Sequence, residues 1–245
     1  RAGFVLSRSA DRLARHHGWG RGWVGLAMLA TVTSLPELSA GVSAVVWVDA
    51  PNLAVGDALG SCVFNLVFLV VIDALQRGQP MYRDASATHL LSAAFGVVML
   101  GFVTMSLLLA RHAPTLFHVG LYSPIMIALY LVALANVSRF DRSIERPAAP
   151  PGETPIDATR EWRAFALAAS VVVVAGAWLP EVADGLVETT GLSRSFVGTL
   201  GLAFATSLPE IAVSLTALRL RALDLAIANL LGSNLFNVMI LAVDD

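Results

Sequence analysis

The chain has 245 residues, of which 56% are hydrophobic and only 14% are charged, and its formal net charge is -2. This balance is too apolar for a soluble domain of this size and is typical of a protein with several membrane spans. The single cysteine, Cys62, excludes an internal disulfide, and its neighbours do not complete a zinc or iron–sulfur site.

Seven apolar segments approach or exceed the roughly 20 residues that a helix needs to cross a bilayer. Residues 1–15 precede them as a partial helix, in which charged residues argue against a signal peptide. The segments are predicted at 24–48, 52–75, 86–110, 115–137, 162–190, 197–218 and 223–243. We therefore expect an all-α, polytopic membrane helix bundle in a lipid bilayer, with no nucleic-acid partner.

A charged and proline-rich stretch at 138–161 is typical of a solvated linker. It divides the chain into a first repeat half at 1–137 and a second at 162–245. If the loops alternate sides, thirteen arginines fall on the side of the linker and only Arg111 and Arg194 fall on the other. Because cytoplasmic loops are enriched in arginine, the linker is predicted to be cytoplasmic.

Each half contains the same two motifs. VGLAMLATVTSLPELSAGVSAV at 24–45 returns as VGTLGLAFATSLPEIAVSLTAL at 197–218, and DALGSCVFN at 57–65 returns as NLLGSNLFN at 229–237. Five steps, an odd number, separate the matching spans, so the two copies are predicted to cross the bilayer in opposite directions. Such inverted repeats are typical of secondary transporters, whose substrate site lies near the membrane midplane.

Each TSLPE motif places one glutamate near the middle of its span, Glu37 in the first repeat and Glu210 in the second. A carboxylate at that depth costs about 2.5 to 3.5 kcal/mol on insertion scales, so intramembrane glutamates are functional by default, and a structural hydrogen bond is the alternative. Pro36 and Pro209 precede the glutamates and lack a backbone N–H, so each helix is predicted to kink or unwind there.

Hydroxyl groups one turn before the glutamates complete an all-oxygen environment, which hard cations such as calcium and sodium prefer. The alternative for a single Thr-Ser pair is helix packing or back-bonding, which the duplication disfavours. These hydroxyl residues are Thr33, Ser34, Thr206 and Ser207.

The second motif places polar residues at i, i+4 and i+8, which share one helix face. Gly60 and Gly232 in this motif are expected to allow close helix approach. Asp57 is either a third carboxylate near the site or a solvated residue near the start of its helix. The two polar stripes are Asp57, Ser61 and Asn65 in the first repeat, and Asn229, Ser233 and Asn237 in the second.

The paired TSLPE and GS-containing helices resemble the alpha repeats of the cation/calcium exchanger superfamily, especially its prokaryotic sodium/calcium exchangers. The resemblance implies ten helices around a central site in a prokaryotic plasma membrane, so this chain, which begins inside the first helix and stops before the last two, is expected to be a fragment. The ligands that it implies are Thr33, Ser34, Glu37, Ser61, Asn65, Thr206, Ser207, Glu210, Ser233 and Asn237, with the backbone carbonyls of Ala30 and Ala203.

The sequence departs from the family pattern at four positions. Val32 and Ala205 stand where the family usually has glycine, Asn237 where many members have aspartate, and Asp57 where asparagine is usual. Together the last two changes indicate either a relocated charge or a different coupling ion.

The resemblance implies calcium export in exchange for sodium by alternating access, with no cofactor besides the transported ions. Proton-coupled exchange of calcium or another divalent cation is the close alternative, because glutamates can carry protons. A remote alternative is an intramembrane hydrolase that uses Glu37 and Glu210, which is disfavoured because no nucleophile–base arrangement flanks them. No oligomeric state is predicted.

Overall fold

The structure, a computed structural model, describes residues 1–75, 86–109, 115–116, 119–120, 122–143 and 156–244. Almost all of these residues are helical. The rest are turns between helices and a ribbon in which Thr115–Leu116 pairs antiparallel with Val119–Gly120. The expected all-α bundle is therefore confirmed. Arg111 and residues 144–155 of the predicted linker lie outside the described residues.

Eight helices follow one another along the described part of the chain, and all but the first are long and apolar enough to cross a membrane. The prediction of seven spans is confirmed, and residues 2–15 lie in the helix that precedes them. In chain order they are α1 (Ala2–His17), α2 (Arg21–Val46), α3 (Pro51–Leu75), α4 (Ala87–Leu109), α5 (Tyr122–Ser143), α6 (Ala158–Thr190), α7 (Arg194–Arg219) and α8 (Leu223–Ile240).

The start of α5 differs from the sequence prediction. The segment was expected to begin at residue 115, but the helix begins at Tyr122 and places Pro124 in its first turn. Proline is tolerated there because the first N–H groups of a helix have no partner within it. Apolar composition alone does not reveal this boundary, since the residues before it are also mostly apolar.

The repeated helices α2 and α7 share the same two irregularities. Each contains a six-residue π-helical stretch, Val24–Leu29 in α2 and Val197–Leu202 in α7. Each is then interrupted at a serine, Ser34 (φ −89°, ψ 4°) or Ser207 (φ −77°, ψ −1°), two residues before the proline. The predicted distortion is confirmed, and each proline lies in the first turn of the helical segment that follows, where its missing N–H costs nothing.

The two repeats interlock. The segment Leu35–Val46 of α2 packs against α6, and the matching segment Leu208–Arg219 of α7 packs against α1. Likewise α3 packs against the first part of α7, and α8 against the first part of α2. Each repeat thus completes its packing with helices of the other, and α8 is the innermost span, with 83% of its apolar window buried against 17% for α4.

We call the end of the bundle that contains Ser143 and Ala158 the near end, and the end that contains the turn from Val46 to Pro51 the far end. Following the spans, α2 runs from the near end to the far end and α7 runs the opposite way. The inverted arrangement of the two repeats expected from the sequence follows from this alternation.

The motif glycines lie where helices cross closely. A methyl group at Gly60 would lie 2.5 Å from the carbonyl oxygen of Thr199, and one at Gly232 would lie 2.7 Å from the methyl of Ala30. No side chain fits at such distances, so these glycines bring α3 against α7 and α8 against α2. Their predicted packing role is confirmed.

Candidate functional site

Each of the two mid-span glutamates accepts a hydrogen bond from a serine of the opposite repeat. Glu37 and Glu210 are fully buried, with 1% and 0% of their surface exposed. The hydroxyl of Ser34 donates to Oε1 of Glu210 at 3.1 Å, and that of Ser207 donates to Oε1 of Glu37 at 3.4 Å. Both glutamates also lie in the first turn of a helical segment, where the positive end of the helix dipole stabilises a carboxylate.

Several buried oxygens near the glutamates have no hydrogen-bond partner. They are Oε2 of Glu37, Oε2 of Glu210, Oδ1 of Asn65 and Oδ1 of Asn237, and the amide nitrogen of Asn237 also lacks a partner. A buried polar atom without a partner costs about 1 to 3 kcal/mol. A set of such oxygens on the repeated helices fits a dehydrated hard cation, which takes oxygen ligands.

The threonines of the two TSLPE motifs are held by the residues that begin the polar stripes. Thr206 donates to Oδ1 of Asp57 at 2.9 Å, and Thr33 donates to Oδ1 of Asn229 at 3.2 Å. Asp57 is 1% exposed, so the interpretation of it as a solvated residue is wrong. Its carboxylate lies directly beside the candidate ligands.

The serines of the second motif also face the TSLPE helices. Ser233 donates to Oε1 of Glu210 at 3.4 Å, and Ser61 donates to the carbonyl of Ala203 at 3.4 Å. The carbonyls of Ala30 and Ala203 accept the backbone N–H four residues ahead, at 3.0 and 3.1 Å. They therefore keep their helical hydrogen bonds, and the carbonyl of Ala203 would have to exchange its bond from Ser61 for a bond to a cation.

Two residues of this network were not among the predicted site residues. Asn234 accepts a hydrogen bond from Nδ2 of Asn65 at 3.0 Å, and Ser214 accepts one from Nδ2 of Asn229 at 3.2 Å. The sequence held a weak signal for both, because Ser214 lies four residues after the glutamate and Asn234 belongs to the GSN triplet. The residue equivalent to Asn234 in the first repeat is Cys62. Because cysteine has no amide, the motif comparison did not mark Asn234 as a repeated polar residue.

Within the described residues, no group of three or more His, Cys, Asp and Glu side chains could hold a metal ion. The candidate site instead combines carboxylate, hydroxyl and amide oxygens. Such a mixed set suits a hard cation that binds and leaves repeatedly, since neutral oxygens hold calcium or sodium less tightly than a cage of carboxylates.

Comparison with known proteins gives consistent matches along most of the chain. The family described as sodium/calcium exchanger protein matches residues 2–139 and 161–243. Inner membrane protein YrbG of Escherichia coli is 27% identical over 224 residues, which cover 89% of this chain and 66% of YrbG. CaxA of Alkalimonas amylolytica, an antiporter candidate, is 29% identical over 247 residues, which cover 96% of this chain and 75% of CaxA.

The fold is also that of a solved structure. The sodium-calcium exchanger NCX_Mj superimposes with a TM-score of 0.66 and 23% sequence identity, over 99% of this chain and 76% of that one. At this identity the likeness concerns the fold alone. The chain thus spans about two thirds to three quarters of the length of the proteins that it matches.

Proposed function

The chain belongs to the sodium/calcium exchanger protein family and is therefore a membrane transporter and not an enzyme; on that premise we propose that it exchanges calcium for sodium across the membrane. The hydrolase alternative is thereby removed. The transported ion is proposed to bind between the two repeats, at the buried glutamates.

One observation supports this proposal above the others. Glu37 and Glu210 are each held by a serine of the opposite repeat through one carboxylate oxygen, which leaves the second oxygen of each buried and unpartnered. Two ionised carboxylates carry a charge that balances one divalent cation. A bound calcium ion would supply the missing partners and offset the cost of burying the charges.

The ligand set that we propose for the ion comprises these glutamates together with the hydroxyl and amide oxygens of both repeats. Eight of these residues join the hydrogen-bond network described above or lie beside it, and Asn65 and Asn237 add free amide oxygens. The proposed ligands are Thr33, Ser34, Glu37, Ser61, Asn65, Thr206, Ser207, Glu210, Ser233 and Asn237, with the backbone carbonyls of Ala30 and Ala203.

Alternating access is supported by the inverted repeats. Because α2 and α7 carry the same π-helical stretch and the same break in opposite orientations, a site between them can open to either end by equivalent rearrangements. Sodium as the driving ion rests on the family, which is described as sodium/calcium exchanger protein.

Proton coupling is the second candidate, and the uncharged Asn237 favours it. Both of its amide atoms are buried without a partner, so this position adds no negative charge to the two glutamates. A site with fewer fixed charges has fewer places for several sodium ions at once, while its glutamates remain able to carry protons.

The experiment is calcium uptake by the full-length protein in sealed vesicles. With sodium loaded inside, we expect rapid uptake of radioactive calcium that collapses when sodium is equalised across the membrane. Uptake that follows a pH gradient and ignores sodium would instead establish the proton alternative. Absence of uptake under both gradients would refute the antiporter proposal.

The near end is proposed to face the cytoplasm of a prokaryotic cell. The linker between the repeat halves, predicted at 138–161, is shorter than expected, because α5 continues to Ser143 and α6 begins at Ala158. Single cysteines placed at Asp157 and at Ser193 test this orientation in intact cells, since Cys62 is buried. A membrane-impermeant maleimide should label the variant at Ser193 and spare the one at Asp157. The reverse pattern would contradict the proposed orientation.

A further inference from the structure

The hydrogen bonding of the two polar stripes differs between the repeats. In the second repeat Asn229 accepts from Thr33 and donates to Ser214, so both its amide oxygen and its amide nitrogen have a partner. The first repeat has Asp57 at the equivalent of Asn229, and Gly41, four residues after Glu37, at the equivalent of Ser214. Asp57 accepts from Thr206 through Oδ1, and its Oδ2 is left buried without a partner.

The carboxylate of Asp244 occupies the space that a side chain at Gly41 would fill. Asp244 follows the end of α8, and its backbone N–H bonds to the carbonyl of Ile240 at 3.0 Å. A methyl group on Gly41 would lie only 2.8 Å from the carboxylate carbon of Asp244. Both carboxylate oxygens of Asp244 are buried without a partner.

Asp57 and Asp244 converge on the position of Gly41, because Asn229, the equivalent of Asp57, bonds to Ser214, the equivalent of Gly41, and α3 packs against this segment of α2. Among the described residues, no basic side chain forms an ion pair with either aspartate. Three buried carboxylate oxygens therefore meet at this position without a hydrogen-bond partner or a cationic side chain. Such an arrangement is costly unless a positive ion occupies it.

We propose that Asp57 and Asp244 form a second cation site for a divalent ion such as calcium, at the position that Gly41 leaves open. The two carboxylates supply the oxygen ligands and the charge that such an ion requires. Four residues of helix separate Gly41 from Glu37, about 6 Å along the axis. The site therefore lies one turn from the glutamates, toward the far end, where Asp244 is partly exposed.

This inference rests on the proposed function for the identity of the ion. It adds a site that binds the ion on its path to the glutamates. A cation that enters from the far end would meet Asp244 first. The carboxylate of Asp57, through its bond with Thr206, then connects the two sites.

The test is equilibrium binding of radioactive calcium to the purified full-length protein. The Glu37→Gln/Glu210→Gln variant, which lacks the central charges, should still bind one calcium ion per chain. Adding Asp244→Asn should weaken this remaining binding at least tenfold, whereas adding Asp49→Asn, which changes an exposed aspartate at the same end, should leave it unchanged.

A double variant that binds no calcium would overturn the second site, and so would residual binding that survives Asp244→Asn. These results distinguish failure of the second site from failure of the proposed function. If the wild-type protein transports calcium but the double variant binds none, only the second site fails. If the second site binds calcium but no gradient drives uptake, only the proposed function fails.

Gly41→Ser provides an independent test that leaves both aspartates in place. The added side chain would displace the Asp244 carboxylate and offer a hydroxyl to Asp57, as Ser214 does to Asn229. We expect it to remove the residual binding of the double variant, while Gly101→Ser, at a position with open space around it, should not. Unchanged residual binding in a folded Gly41→Ser variant would contradict the site.

Discussion

Replacing Glu210 by glutamine isolates the charge of one central ligand. Oε1 of Glu210 accepts from Ser34 at 3.1 Å and from Ser233 at 3.4 Å, and a glutamine carbonyl can accept both bonds. The change therefore keeps the shape and these contacts, but it removes the negative charge and replaces the free Oε2 by an NH₂ group that cannot bind a cation.

The expected loss follows from breaking a buried charge pair, which costs about 3 to 5 kcal/mol. At about 1.4 kcal/mol per tenfold change, this corresponds to a calcium affinity roughly 100-fold to 4,000-fold weaker at the central site. Without calcium the variant should unfold at the same temperature as the wild type or higher, since a buried, uncompensated charge has been removed.

Titration calorimetry with calcium and thermal unfolding of the apo protein measure the two effects. Glu188→Gln is the matched control, because Glu188 is an exposed glutamate at the far end of α6 and should change neither value. Wild-type calcium affinity in Glu210→Gln would refute the central role of this carboxylate. A large loss of apo stability would show that Glu210 is mainly structural.

Three further predictions concern packing, charge placement and pH. Gly232→Ala should lower the free energy of unfolding by about 1 to 3 kcal/mol, since the new methyl overlaps the facing helix. Gly101→Ala should not lower it, because the space around Gly101 is open. Equal melting temperatures for the Gly232→Ala variant and the wild type would contradict the close packing. If the negative charge usual at position 237 has been relocated to Asp57, Asp57→Asn should weaken calcium binding in calorimetry and adding Asn237→Asp should restore it. An unaltered calcium affinity of Asp57→Asn would contradict this relocation. Burial raises the pKa of Asp244 from 3.8 to about 7, so its native carboxyl holds a proton that the unfolded chain has lost. The free energy of unfolding should therefore fall as pH rises from about 4 to about 7, and calcium binding to the second site should strengthen about tenfold between about pH 6 and about pH 8; pH-independent binding would exclude Asp244 as a ligand.

Much of the fold could be predicted because membrane spans are long and apolar and because the motifs are duplicated. The π-helical stretches Val24–Leu29 and Val197–Leu202 could not, since their register depends on tertiary packing. In a segment that is apolar on all sides, hydrophobic periodicity carries little information about residues per turn. The start of α5 was missed for a similar reason.

The site was predictable where the two repeats agree and obscure where they differ. Glu37 and Glu210 stand out because a mid-span carboxylate is costly and appears twice. The hydrogen bond from Asn229 to Ser214 has no copy in the first repeat, and the approach of Asp244 to Gly41 joins residues about two hundred positions apart. The spacing of residues within one helix cannot predict such a contact.

In the proposed mechanism the buried glutamates Glu37 and Glu210 couple calcium movement to a gradient of another cation. The most direct measurement compares sodium-driven calcium uptake into vesicles by the wild-type full-length protein and by its Glu37→Gln/Glu210→Gln variant, at equal amounts of inserted protein. We expect uptake that depends on the sodium gradient for the wild type and none above empty vesicles for the variant. Uptake by the variant at the wild-type rate would contradict it.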